Sequence, residues 1–127
     1  MAYPTGSGSE RLMRGVINEQ SNDQTSFKFD GTSPTKGTET DTVPALHIVT
    51  IIGISVCDVS NTAGTFSLAV SDGSSTASLV QDQPVGANGT FIYNDKIVLQ
   101  GGDFLKINAG AGDDYDVHYS YIDQDWS

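Results

Sequence analysis

The residues best suited to chemistry lie in the stretch GAGDDYDV, where three carboxylates, Asp113, Asp114 and Asp116, sit close together. Carboxylate oxygens in a loop are ligands that Ca²⁺ prefers, but the spacing does not match an EF-hand loop. Glycine and aspartate are also the common residues of tight turns at the mouth of a hairpin. We therefore expect a solvent-facing hairpin turn, with these three acids as weak candidates for a cation site.

The two histidines, His47 and His118, are the other residues with catalytic potential. A hydrolytic triad would need one of them beside a nucleophile and an orienting acid. His118 and Ser120 share one face of a predicted strand, but side chains two positions apart there meet poorly. The sequence has no GxSxG motif, and its glycine-rich runs precede no helical pattern and lack the lysine of a phosphate-binding loop. We predict no catalytic residue and no cofactor.

The charge of the chain restricts its partners. The formal net charge is -10 at pH 7, with only six Lys and Arg residues and a pI near 4.1. Such a chain repels a phosphate backbone and an anionic membrane surface, so we expect neither nucleic acid nor membrane as a partner. The N-terminus has no apolar signal segment, and no run approaches the length of a membrane span, so we expect folding without translocation. The single cysteine, Cys57, excludes an intrachain disulfide.

The elements that must position these residues are β-strands. Short runs of alternating apolar and polar residues, separated by Gly, Asn, Asp and Ser at intervals near ten residues, predict about eight strands and no helix. The last run, YDVHYSYI, is the clearest, and its apolar face is predicted to be core: Tyr115, Val117, Tyr119 and Tyr121. We predict an all-β, antiparallel sandwich of jelly-roll type; an immunoglobulin-like sandwich would need paired cysteines and a core tryptophan.

The run ALHIVTIIGISVCDV is long for a strand, and both of its faces are partly apolar. We expect the face of Leu46, Ile48, Ile52, Ile54 and Val56 to be core. The other face, around Val49 and Ile51, is then available for a subunit contact. Gly53 is the expected place for a bend or bulge.

Two segments lack residues to bury. Residues 1–10 are predicted to be a flexible N-terminal arm, and residues 30–44 a long loop within a single domain of residues 11–127. The apolar side chains available to the core are adequate but few, which favours an oligomer. The candidate residues for contacts between chains are Arg11, Arg14, His47, Val49, Ile51 and Trp126.

The runs TVPALHIVTIIGISVCDVSNTAGTFSLAVSDG, QPVGANGTFIYNDKIVLQGGDFLKINA and YDVHYSYIDQDW carry a resemblance that spans roughly residues 43–127. Their hallmarks are a strand ending in IVL, a GGD turn, a strand beginning FLKI and a terminal SYID. This pattern resembles small β-sandwich structural proteins of tailed bacteriophages, particularly those that infect cyanobacteria. The resemblance implies a virion component, assembled in the host cytoplasm, with no catalytic residues to carry over.

The resemblance also implies partners. It favours a capsid decoration (cement) protein that binds the assembled head shell, with the major capsid protein or other virion proteins as partners and a homo-oligomer, preferably a trimer. A neck, tail or fibre-base accessory protein is the alternative within the same class. A glycan-binding or adhesion module is the alternative from another class, and it would need exposed aromatic side chains or bound calcium.

Overall fold

The computed structural model describes residues 9–20, 24–110 and 113–126. Most of the predicted N-terminal arm, residues 1–8, lies outside these ranges, whereas Ser9 and Glu10 already belong to the first strand. In the described ranges the chain forms nine strands and no helix. They are β1 (Ser9–Gln20), β2 (Gln24–Ser26), β3 (His47–Asp58), β4 (Gly64–Ser71), β5 (Thr76–Val85), β6 (Thr90–Tyr93), β7 (Ile97–Gln100), β8 (Phe104–Ala109) and β9 (Tyr115–Asp125).

The strands form two antiparallel sheets. The first has the order β1-β9-β3, with β6 and β7 end to end along the far edge of β3, and the second has the order β2-β8-β4-β5. Since β6 and β7 pair with successive halves of β3, they act as one interrupted edge strand. The sandwich then has eight strands in the arrangement of a jelly roll, which confirms the predicted fold class.

β3 changes the side of the sheet that it presents to the core. Its register with β9 shifts between Ile51 and Gly53, the bulge that Gly53 predicted. Before the shift Val49 and Ile51 are buried, and after it Ile54 and Val56 are buried. A bulge inserts one extra residue, so the side chains beyond it change faces.

This bulge overturns part of the expectation for β3. Ile54 and Val56 are core residues as predicted, but Leu46 is 42% exposed, and Ile48 and Ile52 are only half-buried. The predicted contact residues Val49 and Ile51 are both 0% exposed within the single chain. They therefore pack in the core and offer nothing to a second subunit.

The aromatic face of β9 forms the centre of the core, as its alternation predicted. Tyr119 stacks on Tyr121 with ring centroids 5.8 Å apart and lies 4.6 Å from the ring of Phe27. Phe29 meets Tyr121 edge-on at 5.1 Å. Such pairs add about 0.5–1.5 kcal/mol each to the gain from burial. Because these tyrosines are buried, they form no exposed platform for a sugar.

The connections around β8 cross between the sheets. β7 and β9 lie in the first sheet and β8 in the second, so the connection before β8, residues 101–103, and the connection after β8 each join one sheet to the other. β8 and β9 therefore do not form a hairpin, and the expectation that GAGDD lies at the mouth of one is wrong; Ala111 and Gly112 of this stretch lie outside the described residues. Glycine and aspartate serve a sheet-to-sheet turn equally well because both allow the backbone to reverse sharply.

The segment between β2 and β3, residues 27–46, contains no strand or helix. Two backbone hydrogen bonds nevertheless attach it to the sandwich. The amide of Phe27 donates to the carbonyl oxygen of Leu105 at 2.8 Å, and the amide of Val43 donates to the carbonyl oxygen of Asp103 at 2.8 Å. Phe27 and Val43 are buried. The segment thus closes one side of the core.

Candidate assembly surface

The side chains of the first sheet that point away from the core form a surface that we call the outer face. Six large hydrophobic side chains of the described residues are exposed, and four of them lie on the outer face: Leu12 (75%), Val16 (40%), Ile92 (57%) and Val98 (60%). The other two, Leu46 and Val59, lie in connections beside β3. Exposed apolar side chains gathered on one face mark an interaction surface, whereas scattered ones need no explanation.

The strand register places these side chains in rows across the sheet. Leu12 pairs with Ile122, Ile122 with Thr50, and Thr50 with Val98. A second row runs from Val16 through His118 and Ser55 to Ile92. Neighbouring strands lie about 4.8 Å apart, so each row is a continuous strip from one edge of the sheet to the other.

Arg14 lies between the two rows, opposite Ser120, and is exposed. It borders a shallow groove, which is lined by Leu12, Met13, Arg14, Ile52, His118 and Ser120. None of the residues in the two rows, nor Arg14 and Ser120 between them, is a carboxylate. In a chain of net charge -10, this part of the outer face therefore carries a positive charge and no acid, and its exposed apolar side chains lie towards the two edges of the sheet.

Three of the predicted contact residues meet at one end of the first sheet. The carboxylate of Asp123 is 0% exposed and accepts from Nη2 of Arg11 at 3.1 Å and contacts Nδ1 of His47 at 2.8 Å. Nε2 of His47 lies 3.4 Å from the carboxylate of Asp125. The backbone amide of Trp126 donates to the carbonyl oxygen of Leu46 at 3.0 Å. These contacts hold the start of β1, the start of β3 and the end of β9 together.

The predicted contact residues thus separate into three groups. Arg14 is exposed on the outer face, whereas Val49 and Ile51 are in the core. Arg11, His47 and Trp126 lie at one end of the first sheet, where Asp123 engages Arg11 and His47 and the amide of Trp126 donates to Leu46, although the side chain of Arg11 is still 55% exposed.

Sequence reasoning missed the apolar residues of the outer face. In RLMRGVI, Leu12 and Val16 alternate with Met13, Gly15 and Ile17, so both faces are partly apolar and either could be core. Gly15 is the residue that distinguishes the core face of β1 from its outer face. Its missing side chain makes room for the ring of Tyr119 on the core side of β1, directly across from it in the register.

The three acids proposed as cation ligands do not form a cluster. The side chain of Asp113 accepts from the amide of Thr65 at 3.3 Å, and the carbonyl oxygen of Asp114 accepts from the amide of Val59 at 3.0 Å. Asp116 lies within β9, opposite Cys57 of β3. Among the described residues, no group of three or more His, Cys, Asp or Glu side chains could hold a metal ion.

A buried pair of polar groups lies beside this turn. Asp58 and Tyr115 are opposite each other on β3 and β9, and they are 1% and 0% exposed. One carboxylate oxygen of Asp58 accepts from the amide and hydroxyl of Ser60, at 2.8 and 2.7 Å. Burial raises the pKa of Tyr115 to about 12, and the nearby carboxylates of Asp113 and Asp58 add to the rise. The phenol of Tyr115 therefore stays protonated well above pH 10.

None of the described residues belongs to a helix that is long and apolar enough to span a membrane.

Comparison with known proteins identifies the fold. No family model and no curated protein matches the chain. Among solved structures, the chain is similar to a protein of the infectious bursal disease virus Gx strain, with a TM-score of 0.50 and 14% identity over 95% of this chain and 34% of that one. It is also similar to a pentameric capsid protein from metagenomic phage sequences, with a TM-score of 0.42 and 15% identity over 90% of this chain and 60% of that one.

A third similar structure is the globular domain of zebrafish complement 1qA protein, with a TM-score of 0.48 and 14% identity over 91% of this chain and 95% of that one. The chain spans less than two thirds of the length of the two viral chains. At such identities the likeness to the bursal disease virus protein shows a shared fold, the jelly-roll sandwich, and nothing about a shared function.

Proposed function

We propose that the chain is a structural component of a bacteriophage particle, specifically a capsid decoration (cement) protein that binds the assembled head shell. The observation that carries this proposal is the outer face, where four of the six exposed large hydrophobic side chains gather. The resemblance of residues 43–127 to structural proteins of tailed phages and the jelly-roll fold support it. In this proposal the partner is the major capsid protein.

The outer face has the properties of a surface that docks on another protein. Its first row is mostly apolar, its second row has apolar Val16 and Ile92 at its two ends, and Arg14 supplies a polar contact between the rows at the β1 edge. The buried core of a protein interface is more apolar than its rim, and arginine is among the side chains that carry most binding energy. A partner with an apolar patch and a carboxylate facing Arg14 would match this surface.

The stabilising effect of such a protein follows from mass action. A ligand that binds the assembled shell, but not its separated subunits, shifts the equilibrium towards the assembled shell. Association of one copy costs about 4–15 kcal/mol in lost freedom of motion, whereas full burial of one large apolar side chain contributes about 1.5–3 kcal/mol. Several side chains of the outer face must therefore be buried together, which favours a junction where two shell subunits contact one copy.

Co-sedimentation of the purified chain with empty, expanded phage shells tests the proposal. We expect the unmodified chain to sediment with the shells, and Leu12→Asp and Val98→Asp each to lower the bound fraction by about tenfold, since a buried carboxylate without a partner opposes binding. Val59→Asp is the matched control, because Val59 is 41% exposed and lies outside the two rows. It adds the same charge and should leave binding unchanged.

Two outcomes would contradict the proposal. If the unmodified chain does not sediment with shells but purifies with phage tails, it is a tail accessory protein. If all three aspartate variants lose binding equally, the effect is one of net charge, and the outer face is not the contact surface.

A further inference from the structure

The edge of β1 is open along much of its length. β1 is the outermost strand of the first sheet and pairs with β9 on one side only. In the part of the chain that the structure describes, no strand lies along its other side. An unpaired edge presents a row of N–H and C=O groups that can pair with another chain, and natural proteins usually shorten or cover such edges.

The hydrogen bond of Val16 shows which backbone groups face this open edge. The amide of Val16 donates to the side-chain oxygen of Ser33 at 3.2 Å, so it points away from β9. In a strand the N–H and C=O groups of alternate residues point to the same side. Glu10, Leu12 and Arg14 therefore present their backbone groups to the open edge, while Ser33 covers it at Val16.

The same three residues also share the outer face. Leu12 pairs with Ile122 of β9, and Glu10 with Gln124, whose side-chain amide donates to the carboxylate of Glu10 at 2.9 Å. The open edge thus carries an acid, an apolar residue and a base at equal spacing. Leu12, the central one, is the most exposed large hydrophobic residue among those described, at 75%.

We propose that this edge binds a second copy of the chain, with the two β1 strands antiparallel about a two-fold axis at Leu12. In this register Leu12 meets Leu12 of the other copy, and Glu10 of each copy meets Arg14 of the other. Each of the three pairs can form two backbone hydrogen bonds because all three residues present their N–H and C=O groups to this edge. Each interface also contains two pairs of opposite charge.

The charges favour this register over those with the axis at Arg14 or at Glu10. If the axis lay at Arg14, two guanidinium groups would face each other, and if it lay at Glu10, two carboxylates would. Like charges directly opposite on paired strands destabilise the pair, whereas opposite charges contribute about 0.2–1 kcal/mol. If the charges on this edge served only to prevent pairing, they would repel in every register. Glu10 and Arg14 instead attract each other in the register with the axis at Leu12.

The pairing has a consequence for the shape of the assembly. It joins two first sheets into one, so the row of Ile122 and Leu12 continues across the axis into the second copy. The contact is two-fold and self-complementary, and it closes at two copies. It therefore gives a dimer, whereas the resemblance of the sequence favours a trimer. The proposal does not depend on binding to a shell.

Sedimentation equilibrium of the purified full-length chain tests the pairing. We expect a concentration-dependent dimer with twice the mass of the 13.4 kDa chain. Glu10→Arg or Arg14→Glu alone places like charges opposite each other twice per dimer, so each should raise the dissociation constant by roughly tenfold or more. The double exchange Glu10→Arg/Arg14→Glu restores opposite charges and should restore the dimer.

Two controls and one further variant make the test specific. Glu39→Arg and Lys96→Glu make the same charge changes at exposed positions away from β1 and should leave the dissociation constant unchanged. Leu12→Pro removes the central N–H of the open edge without removing a bond to β9, so it should abolish the dimer while circular dichroism shows a folded chain. A monomer at every concentration, a trimer, or a dimer that is insensitive to the single charge exchanges would overturn the proposal.

Discussion

The hydroxyl group of Tyr119 binds both backbone groups of Lys28: it donates to the carbonyl oxygen at 2.6 Å and accepts from the amide at 3.1 Å. Tyr119 lies on β9 in the first sheet, and Lys28 follows β2 of the second sheet. Lys28 lies between Phe27 and Phe29, which are buried against the tyrosines of β9. One phenol therefore joins the two halves of the sandwich at the centre of the core.

Removal of this hydroxyl should destabilise the protein. Tyr119→Phe leaves the amide and the carbonyl group of Lys28 without their partner, and an unpaired buried polar group costs about 1–3 kcal/mol. We expect a loss of this size in the free energy of unfolding, measured by chemical denaturation. Tyr115→Phe is the matched control, because the hydroxyl of Tyr115 is buried and has no hydrogen-bond partner among the described residues. Equal losses for the two variants would contradict this role of Tyr119.

Alkaline pH should unfold the protein through the same tyrosines. Burial raises the pKa of Tyr119 well above its usual range and that of Tyr115 to about 12, against an ordinary value of 10.0. Above pH 10 the unfolded chain loses these phenolic protons while the folded chain keeps them, so the free energy of unfolding falls as pH rises from 10 to 12. Denaturation midpoints at successive pH values measure this fall. Tyr115→Phe should reduce the slope, and an unchanged slope would show that Tyr115 does not contribute.

The alternation of single strands was sufficient to predict much of this fold. In β9 one face carries Tyr115, Val117, Tyr119 and Tyr121 while the other is polar apart from Ile122, so its orientation was unambiguous and the prediction was confirmed. In β3 both faces are partly apolar, and the orientation depends on the bulge at Gly53, which places Val49 before it and Val56 after it on the same core face. Alternation of apolar and polar residues cannot show which face of β3 is core beyond a bulge unless the exact residue of the bulge is known.

The candidate surface was harder to predict because it depends on pairing between distant strands. Leu12 and Val98 are 86 positions apart in sequence, and they form one row only because β9 and β3 lie between them. The contacts of Arg11 and His47 with Asp123 likewise follow from the register of β1, β9 and β3. The residue types suggested that Arg11 and His47 form polar contacts, but the sequence did not show that Asp123 is their partner.

Asp123 should be the most important residue at that end of the sheet. Its carboxylate is 0% exposed and binds both Arg11 and His47. In Asp123→Ala the ring nitrogen Nδ1 of His47, in a side chain only 14% exposed, loses its partner, and we expect a loss of about 1–3 kcal/mol in the free energy of unfolding.

Asp125→Ala is the control for Asp123→Ala, since the side chain of Asp125 is 35% exposed and lies 3.4 Å from His47. An ion pair of this kind contributes about 0–1 kcal/mol, so this variant should lose less. Both variants remove one carboxylate, and their difference therefore reports burial and hydrogen bonding and not net charge. A larger loss for Asp125→Ala would show that Asp123 does not hold the cluster.

Gly15 should be intolerant of any side chain. A Cβ atom there would overlap the ring and hydroxyl of Tyr119, which lies across from Gly15 on β9. The ring cannot move aside without breaking its two bonds to Lys28, so we expect Gly15→Ala to cost about 1–3 kcal/mol by overpacking. Gly53→Ala is the control, because the nearest atom to a Cβ at Gly53 would be 3.8 Å away.

Coupling between Gly15 and Tyr119 distinguishes overpacking from a general intolerance of β1 to substitution. In a Tyr119→Phe background the ring is no longer held by Lys28 and can move, so Gly15→Ala should cost less than in the unmodified chain. The difference is the interaction energy of a double-mutant cycle, measured by chemical denaturation of the four proteins. If the cost of Gly15→Ala is the same in both backgrounds, the bonds from Tyr119 to Lys28 do not fix the ring. The constraint on Gly15 would then come from the β1 backbone itself.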